Sequence, residues 1–288
     1  MSRLEATVVI STRDRARWLD GCLAALPQQT LDPACFEVLV VDNGSRDDTV
    51  EVARRHGARL VHEPIVGVSR ARNLGLSEAH APLVAFIDDD VRPDSRWLAA
   101  GVSCFANPSV VAAGGPITLA WIGARPDWLV QEVEPWYSAL DLGKSSRLFR
   151  PDETPYGGNL MVRRDIALAV GGFDVALGRR GANLQSGEER EFIARMRPHG
   201  DVLYTPDATV AHLVQPDRLS RRWLLRRTYA FGRYEPEASY ASAGSWARAL
   251  RHPGSVSNLV PCAIGAGVVV ARVAGAVARG RAARGSSA

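Results

Sequence analysis

Three consecutive carboxylates, Asp88, Asp89 and Asp90, follow the apolar run Leu83–Ile87 without a break. Adjacent anions repel one another unless a cation or hydrogen-bond donors offset the charge. A row of oxygen ligands suits a hard divalent cation such as Mg²⁺ or Mn²⁺, which pairs naturally with a substrate diphosphate. A solvated turn or helix cap is the simpler account, since Pro93 and Asp94 follow. Asp42 ends another apolar run, ahead of Asn43-Gly44-Ser45. There it can accept hydrogen bonds from a base or ribose, or serve a plain turn. Gly67-Val-Ser-Arg-Ala-Arg-Asn-Leu-Gly75 reads as a glycine-bounded helix start carrying Arg70 and Arg72. A helix N-terminus with guanidinium groups beside it suits phosphate, and two solvated arginines are the alternative. The segment is neither GxGxxG nor a Walker A loop, so dinucleotide and P-loop readings have no support.

Something must carry these groups to one place. Short β-branched runs at Thr7–Ile10, Phe36–Val41, Arg59–Val61 and Leu83–Ile87 read as strands buried on both faces. Trp18, Leu19, Cys22, Leu23 and Leu26 share one face of an intervening helix, and a second helix follows a Ser45-x-x-Asp48 capping box. Strand and helix alternation predicts a parallel, right-handed α/β sheet. Ligands in such sheets bind beyond the carboxyl ends of the strands. That is where Ser11-Thr12-Arg13-Asp14, Asp42-Asn43-Gly44-Ser45 and Asp88-Asp89-Asp90 fall.

Beyond residue 115 the periodicity weakens and Trp121, Trp128, Trp136 and Tyr137 crowd together. Gly157-Gly158-Asn159 reads as a turn. Helices are predicted near Arg164–Val170, closed by Gly171-Gly172, and over Glu188–Met196. A strand is expected at Val202–Tyr204 and an Arg-rich amphipathic helix at Leu219–Tyr229.

Of 288 residues, 46% are hydrophobic and 23% charged, which excludes wholesale disorder, collagen-like repeats and coiled coil. The net charge of +4 is uneven. Residues 213–288 hold twelve arginines against Asp217, Glu235 and Glu237, a net +9, leaving −5 for the remainder. Such a tail suits an anionic membrane surface, although with Lys144 the only lysine, Arg is also the chain's default cation. No nucleic-acid-binding motif accompanies it. Cys22, Cys35, Cys104 and Cys262 are scattered, as in a reducing compartment. The longest apolar run, residues 259–271, contains Pro261 and is too short to span a bilayer. These features place the protein in the cytoplasm, with the inner face of the cytoplasmic membrane within reach of the tail.

Taken in order, the motifs resemble those of family 2 glycosyltransferases with the GT-A fold. They are Val8-Val-Ile-Ser-Thr-Arg-Asp-Arg15, Val40-Val-Asp-Asn-Gly-Ser45, Gly67 with Ala71-Arg-Asn-Leu-Gly75, and Phe86-Ile-Asp-Asp-Asp90. Gly157-Gly158-Asn159, Gly171-Gly-Phe-Asp174, Gly187-Glu-Glu-Arg-Glu191 and Pro206-Asp-Ala-Thr-Val-Ala-His212 continue the likeness over about residues 5–232. The resemblance implies inverting, Mn²⁺- or Mg²⁺-assisted transfer of a sugar from a UDP-, dTDP- or GDP-linked donor to an acceptor hydroxyl. It implies donor contacts at Ser11, Thr12, Arg13, Asp42, Arg70, Arg72, Asn73, Asp88, Asp89, Gly158 and Asn159. It places metal ligands at Asp90, Asp88 and His212.

Glu188-Glu189 stands where the family has a Glu-Asp pair whose second member is the general base. The base is then Glu189 or, given the substitution, Glu188. An acidic first helical turn satisfying the helix dipole accounts for the same residues without catalysis. Ser11-Thr-Arg-Asp likewise departs from the Pro-Thr-Tyr-Asn common in the family.

The expected architecture is a GT-A-like α/β domain over residues 1–215, with a nucleotide-binding half (1–115) and an acceptor half (116–215). A helical basic tail (216–288) follows. The aromatic stretch 121–137 suits a sugar or polyprenyl acceptor. Two rivals remain at this stage. A sugar nucleotidyltransferase would also use acids and metal, but no glycine-rich loop follows the first strand. A catalytically silent, membrane-associated sugar-binding protein is the other.

Overall fold

The computed structural model describes residues 3–181 and 183–234, together with Val260, Ala263 and Ile264. Most of the expected basic tail, including most of the 259–271 apolar run, lies outside the described residues. The chain divides into two units. Of the described residues, the first takes in those up to Trp121, then Ser138–Gly181 and Glu188–Val214; the second takes in Ile122–Tyr137, residues 183–187 and those from Gln215 onward.

The first unit opens with β1 (Ala6–Thr12), α1 (Ala16–Ala25), β2 (Phe36–Asp42), α2 (Thr49–Arg55), β3 (Arg59–His62) and α3 (Val68–Glu78). It continues with β4 (Leu83–Asp88), β5 (Val91–Pro93), α4 (Trp97–Ser103), β6 (Val110–Gly114) and β7 (Ile117–Trp121). After the second unit's excursion come β8 (Arg147–Leu148), β9 (Leu160–Arg163), α5 (Arg164–Ala169), α6 (Glu188–Met196), β10 (Asp201–Tyr204) and β11 (Val210–Val214). Among the described residues eight strands form one sheet in the order β3-β2-β1-β4-β9-β6-β10-β8. The pairs among β1 to β4 and the β6–β10 pair are parallel, while β9 runs antiparallel to both β4 and β6. A small second sheet, β5-β11-β7, flanks it.

Helices cover both faces because strand side chains alternate. Val8, Ile10, Ala85 and Ile87 face a core shared with Leu19, Cys22, Leu23, Trp97 and Leu98. Val9, Val84 and Phe86 face a second core with Ala71, Leu76, Phe173, Phe192 and Met196. Continuous apolar runs therefore become strands buried on both faces. β3 departs from that expectation. It is half-exposed along its length because it is the sheet's edge, bearing Arg59 and His62.

The capping box also resolves differently. Asp48, not Ser45, occupies the N-cap of α2, and the Ser45 hydroxyl instead accepts a hydrogen bond from the Asp14 backbone N–H at 2.9 Å.

The second unit contains a 3-10 helix at Gln131–Tyr137 and α7 (Arg221–Tyr234). Tyr137 stacks on Trp223 with ring centroids 4.9 Å apart, and Trp136 meets Phe231 edge-on at 5.1 Å. Arg221 lies over the Trp128 ring. Trp136 and Tyr137 thus contribute packing inside this unit.

Candidate active site

Strand register gathers the acids. Thr12 pairs with Asp42 across β1 and β2, and Ser11 pairs with Asp88 across β1 and β4. Three strands accordingly end at one level, with their polar residues side by side. The loops beyond them are braced together. Asp14, at φ 52, accepts a hydrogen bond from Arg46 N–H at 2.7 Å, and the Arg13 guanidinium stands 3.6 Å from the Asp14 carboxylate. Asp and Asn tolerate this left-handed conformation better than most residues. Asp42 is buried. It accepts from the Ser45 N–H at 3.0 Å and faces Nδ1 of His62, also at 3.0 Å. The Ser11 hydroxyl is buried with no hydrogen-bond partner among the described residues.

The three aspartates point to different partners. Asp88 is partly exposed and pairs with Arg72 at 3.3 Å. Asp89 is buried, accepting from the Thr12 hydroxyl at 2.7 Å and from Arg15 Nε at 2.6 Å. Burial, partly offset by Arg15, pushes its carboxyl up to about 6. Asp90 is buried too; its Oδ2 accepts from Arg15 at 2.6 Å and its Oδ1 lies 3.5 Å from His212 Nε2. β11 brings His212 there, since His212 is in register with Val91 and the Leu213 N–H donates to the Asp90 carbonyl.

Arg72 rises from α3 into the same region and is only 4% exposed. Its guanidinium reaches Glu188 Oε1 at 3.2 Å, Glu189 Oε1 at 3.1 Å and Asp88 Oδ1 at 3.3 Å. Glu189 Oε1 also accepts from the Gly157 N–H at 3.1 Å. Burial and the neighbouring Glu189 charge push the Glu188 carboxyl up to about 8. Burial would raise Glu189 as well, but Arg72, the backbone N–H groups and Glu188 together hold it below the ordinary value. The surroundings thus favour the protonated form of Glu188 and the ionised form of Glu189.

The remaining expected donor residues divide. Arg70 is half-buried in the first turn of α3, and Gly158 sits against the Asp88 carboxylate. Asn73 and Asn159 hold the scaffold together. The Asn73 amide exchanges two hydrogen bonds with the backbone of Phe173. The Asn159 amide accepts from Trp97 Nε1 and donates to the carbonyls of Pro116 and Ala208.

Asp88, Asp90 and His212 do not converge on one point, and no group of three His, Cys, Asp or Glu among the described residues forms a metal cage. What the fold does provide is a pair, Asp90 Oδ1 and His212 Nε2, 3.5 Å apart and both buried. Two such atoms fit adjacent positions on one cation that takes its other ligands from a diphosphate and water.

Arg15 and His62 escaped the sequence reading as site residues. Arg15 belongs to the first motif, yet nothing local in sequence reveals that it neutralises acids 74 and 75 residues away. His62 ends an edge strand, and only the β2–β3 register sets it opposite Asp42.

Comparison with known proteins agrees with this architecture. The family model described as Glycosyl transferase family 2 matches residues 7–171. A glucosyl-dolichyl phosphate glucuronosyltransferase of Haloferax volcanii is 26% identical over 236 residues, covering 78% of this chain and 74% of that protein. A pre-mycofactocin glycosyltransferase of Mycobacterium tuberculosis is 29% identical over 269 residues, 90% of this chain but 50% of the relative, so the chain spans about half that protein's length. Among solved structures, the mannosyltransferase PcManGT of Pyrobaculum calidifontis, in complex with GDP-Man and Mn²⁺, aligns with a TM-score of 0.59 at 20% identity. That alignment covers 98% of this chain and 81% of the other. The S. aureus TarS 1-349 complex with UDP aligns at 0.56 and 17% identity, covering 84% and 70%. The family match begins within β1 and ends just beyond α5, taking in every strand of the acid-bearing edge, and the chain therefore belongs to glycosyl transferase family 2, a glycosyltransferase with the GT-A fold.

Proposed function

We infer that the protein transfers a glycosyl group from a nucleotide-sugar to an acceptor hydroxyl, with inversion and with the help of a divalent cation. The observation that carries this reading is the convergence of Asp42, Asp88, Asp89 and Asp90 at the carboxyl ends of β2 and β4, on either side of β1, with Glu189 tied to the same group through Arg72. PcManGT with GDP-Man and Mn²⁺ and TarS with UDP support donors of this class.

In this account Thr12, Arg13 and Asp42 receive the base and ribose, and Arg70 stands at the phosphate-facing start of α3. Asp90 and His212 would hold a divalent cation, which when bound would supply charge neutralisation for the departing diphosphate. Magnesium takes almost purely oxygen ligands, so the imidazole tips the preference toward Mn²⁺. Glu189 accepts the proton of the acceptor hydroxyl as that oxygen forms its bond to the anomeric carbon. On the opposite face the bond to the diphosphate oxygen breaks, so configuration inverts and a nucleoside diphosphate leaves. Burial and the Glu189 charge favour a proton on Glu188, which makes Glu189 the better placed of the two as base. Relatives named for glucosyl-dolichyl phosphate and for pre-mycofactocin leave an acceptor hydroxyl as the shared requirement.

The β1–α1 loop is Arg13 to Arg15, with no glycine-rich stretch to wrap a triphosphate, which disfavours a nucleotidyltransferase. The intact set of acids disfavours a non-catalytic sugar binder. Asp90→Ala tests the assignment: transfer at saturating Mn²⁺ is expected to fall by at least about 100-fold. Full activity in that variant would remove the metal role from this account.

A further inference from the structure

Arg72 holds three carboxylates from two elements that the chain separates widely. Asp88 ends β4 on the donor edge, whereas Glu188 and Glu189 open α6. A buried guanidinium with forked, planar donors can hold two elements in register as a point charge cannot. The fork is itself fixed. Arg72 lies over the Phe173 ring at 5.5 Å, and Phe173 packs against Phe192 of α6 and Phe86 of β4. Asn73, the next residue on α3, clasps the Phe173 backbone through both ends of its amide. A side chain at position 157 would collide with both the Arg72 guanidinium and Glu189 Oε1, so glycine there leaves room for the contact. Three carboxylates around one cation leave excess negative charge, and Glu188 Oε2 is buried without a hydrogen-bond partner among the described residues. A proton retained on one acid lessens that excess, and Glu189, which alone of the two glutamates also receives the Gly157 N–H, is the one whose charge is better stabilised.

We propose that Arg72 is a positioning residue: it selects Glu189 over Glu188 as the base and sets the base's distance from the donor sugar through its second arm on Asp88. This rests on the glycosyl-transfer reading above and deepens it. Arg72 does not bind the nucleotide in this account, because its guanidinium is enclosed by protein carboxylates. Its loss therefore acts on turnover and not on donor affinity.

The test compares wild type, Arg72→Gln and Arg72→Lys. Binding of UDP, dTDP and GDP is measured by calorimetry, and kcat with whichever of their hexose derivatives the wild type uses. For Arg72→Gln, kcat is expected to fall by about 100-fold or more, as misplaced catalytic groups do, with the nucleotide Kd within about threefold of wild type. Arg72→Lys keeps the charge but loses the fork, and should recover part of kcat with the same Kd. If Arg72→Gln does not fold, Arg72→Lys carries the same readout. A Kd weakened tenfold or more with kcat retained at saturation would make Arg72 a donor contact and overturn the proposal alone. A wild type that binds and turns over no donor overturns the glycosyl-transfer reading along with it.

Discussion

Glu188 and Glu189 are chemically identical neighbours whose carboxyls the fold shifts in opposite directions, Glu188 up and Glu189 down. In the unfolded chain Glu188 titrates near its ordinary value of 4.5; folded, it titrates near 8, through burial first and the charge of Glu189 second. Between these values the native state holds the extra proton, so stability falls as pH rises. The Glu188 contribution is complete below about pH 4.5 and is lost by about pH 8. Glu188→Gln keeps the neutral shape and removes the titration. Urea midpoints at pH 5 and pH 8 should therefore show the variant gaining on wild type at the higher pH, whereas parallel curves would deny the buried proton. The sequence makes an acidic pair at 188 and 189 plain, and its place before an apolar helical pattern marks the start of α6. It does not reveal which acid is ionised, because the deciding cation is 117 residues from Glu189.

At the level of elements, the legible parts are those whose signal is local. β1, β2 and β4 announce themselves as continuous apolar runs ending in polar clusters, and α6 spans the expected Glu188–Met196. β9 is different: four residues inserted antiparallel between β4 and β6, with only their pairing to define them. β3 reads as apolar but is an edge, since strand order is a property of the whole sheet. The turn at Gly157-Gly158-Asn159 forms a short 3-10 helix leading into β9, and its glycines let that backbone approach α3 and α6 closely. Gly157→Ala tests this packing. The added methyl must displace Arg72 or Glu189, at a cost of about 1–3 kcal/mol by thermal or urea unfolding. The accompanying fall in kcat should exceed what the unfolded fraction explains. A variant with wild-type stability and turnover would show that the clamp tolerates movement.

The charge distribution of the whole molecule separates a −5 body from a +9 C-terminal stretch. α7 gives the described part of that stretch a surface. Arg222, Arg226 and Arg233 are exposed at positions i, i+4 and i+11, one stripe along the helix, and no carboxylate among the described residues pairs with them. No helix among those residues is long and apolar enough to cross a membrane. We propose that this stripe docks on an anionic lipid surface, with each arginine contributing about 1 kcal/mol. The protein should sediment with vesicles containing phosphatidylglycerol, less so as salt rises, and an R222E/R226E/R233E variant should lose most of that binding. Equal binding to purely zwitterionic vesicles would contradict it. The catalytic claim itself is tested most directly by incubating the protein with UDP-, dTDP- and GDP-sugars in Mn²⁺, with and without chelator, and identifying the released phosphate species. The account predicts a nucleoside diphosphate, released in Mn²⁺ and suppressed by chelator; release of pyrophosphate, or no turnover of any donor, would contradict it.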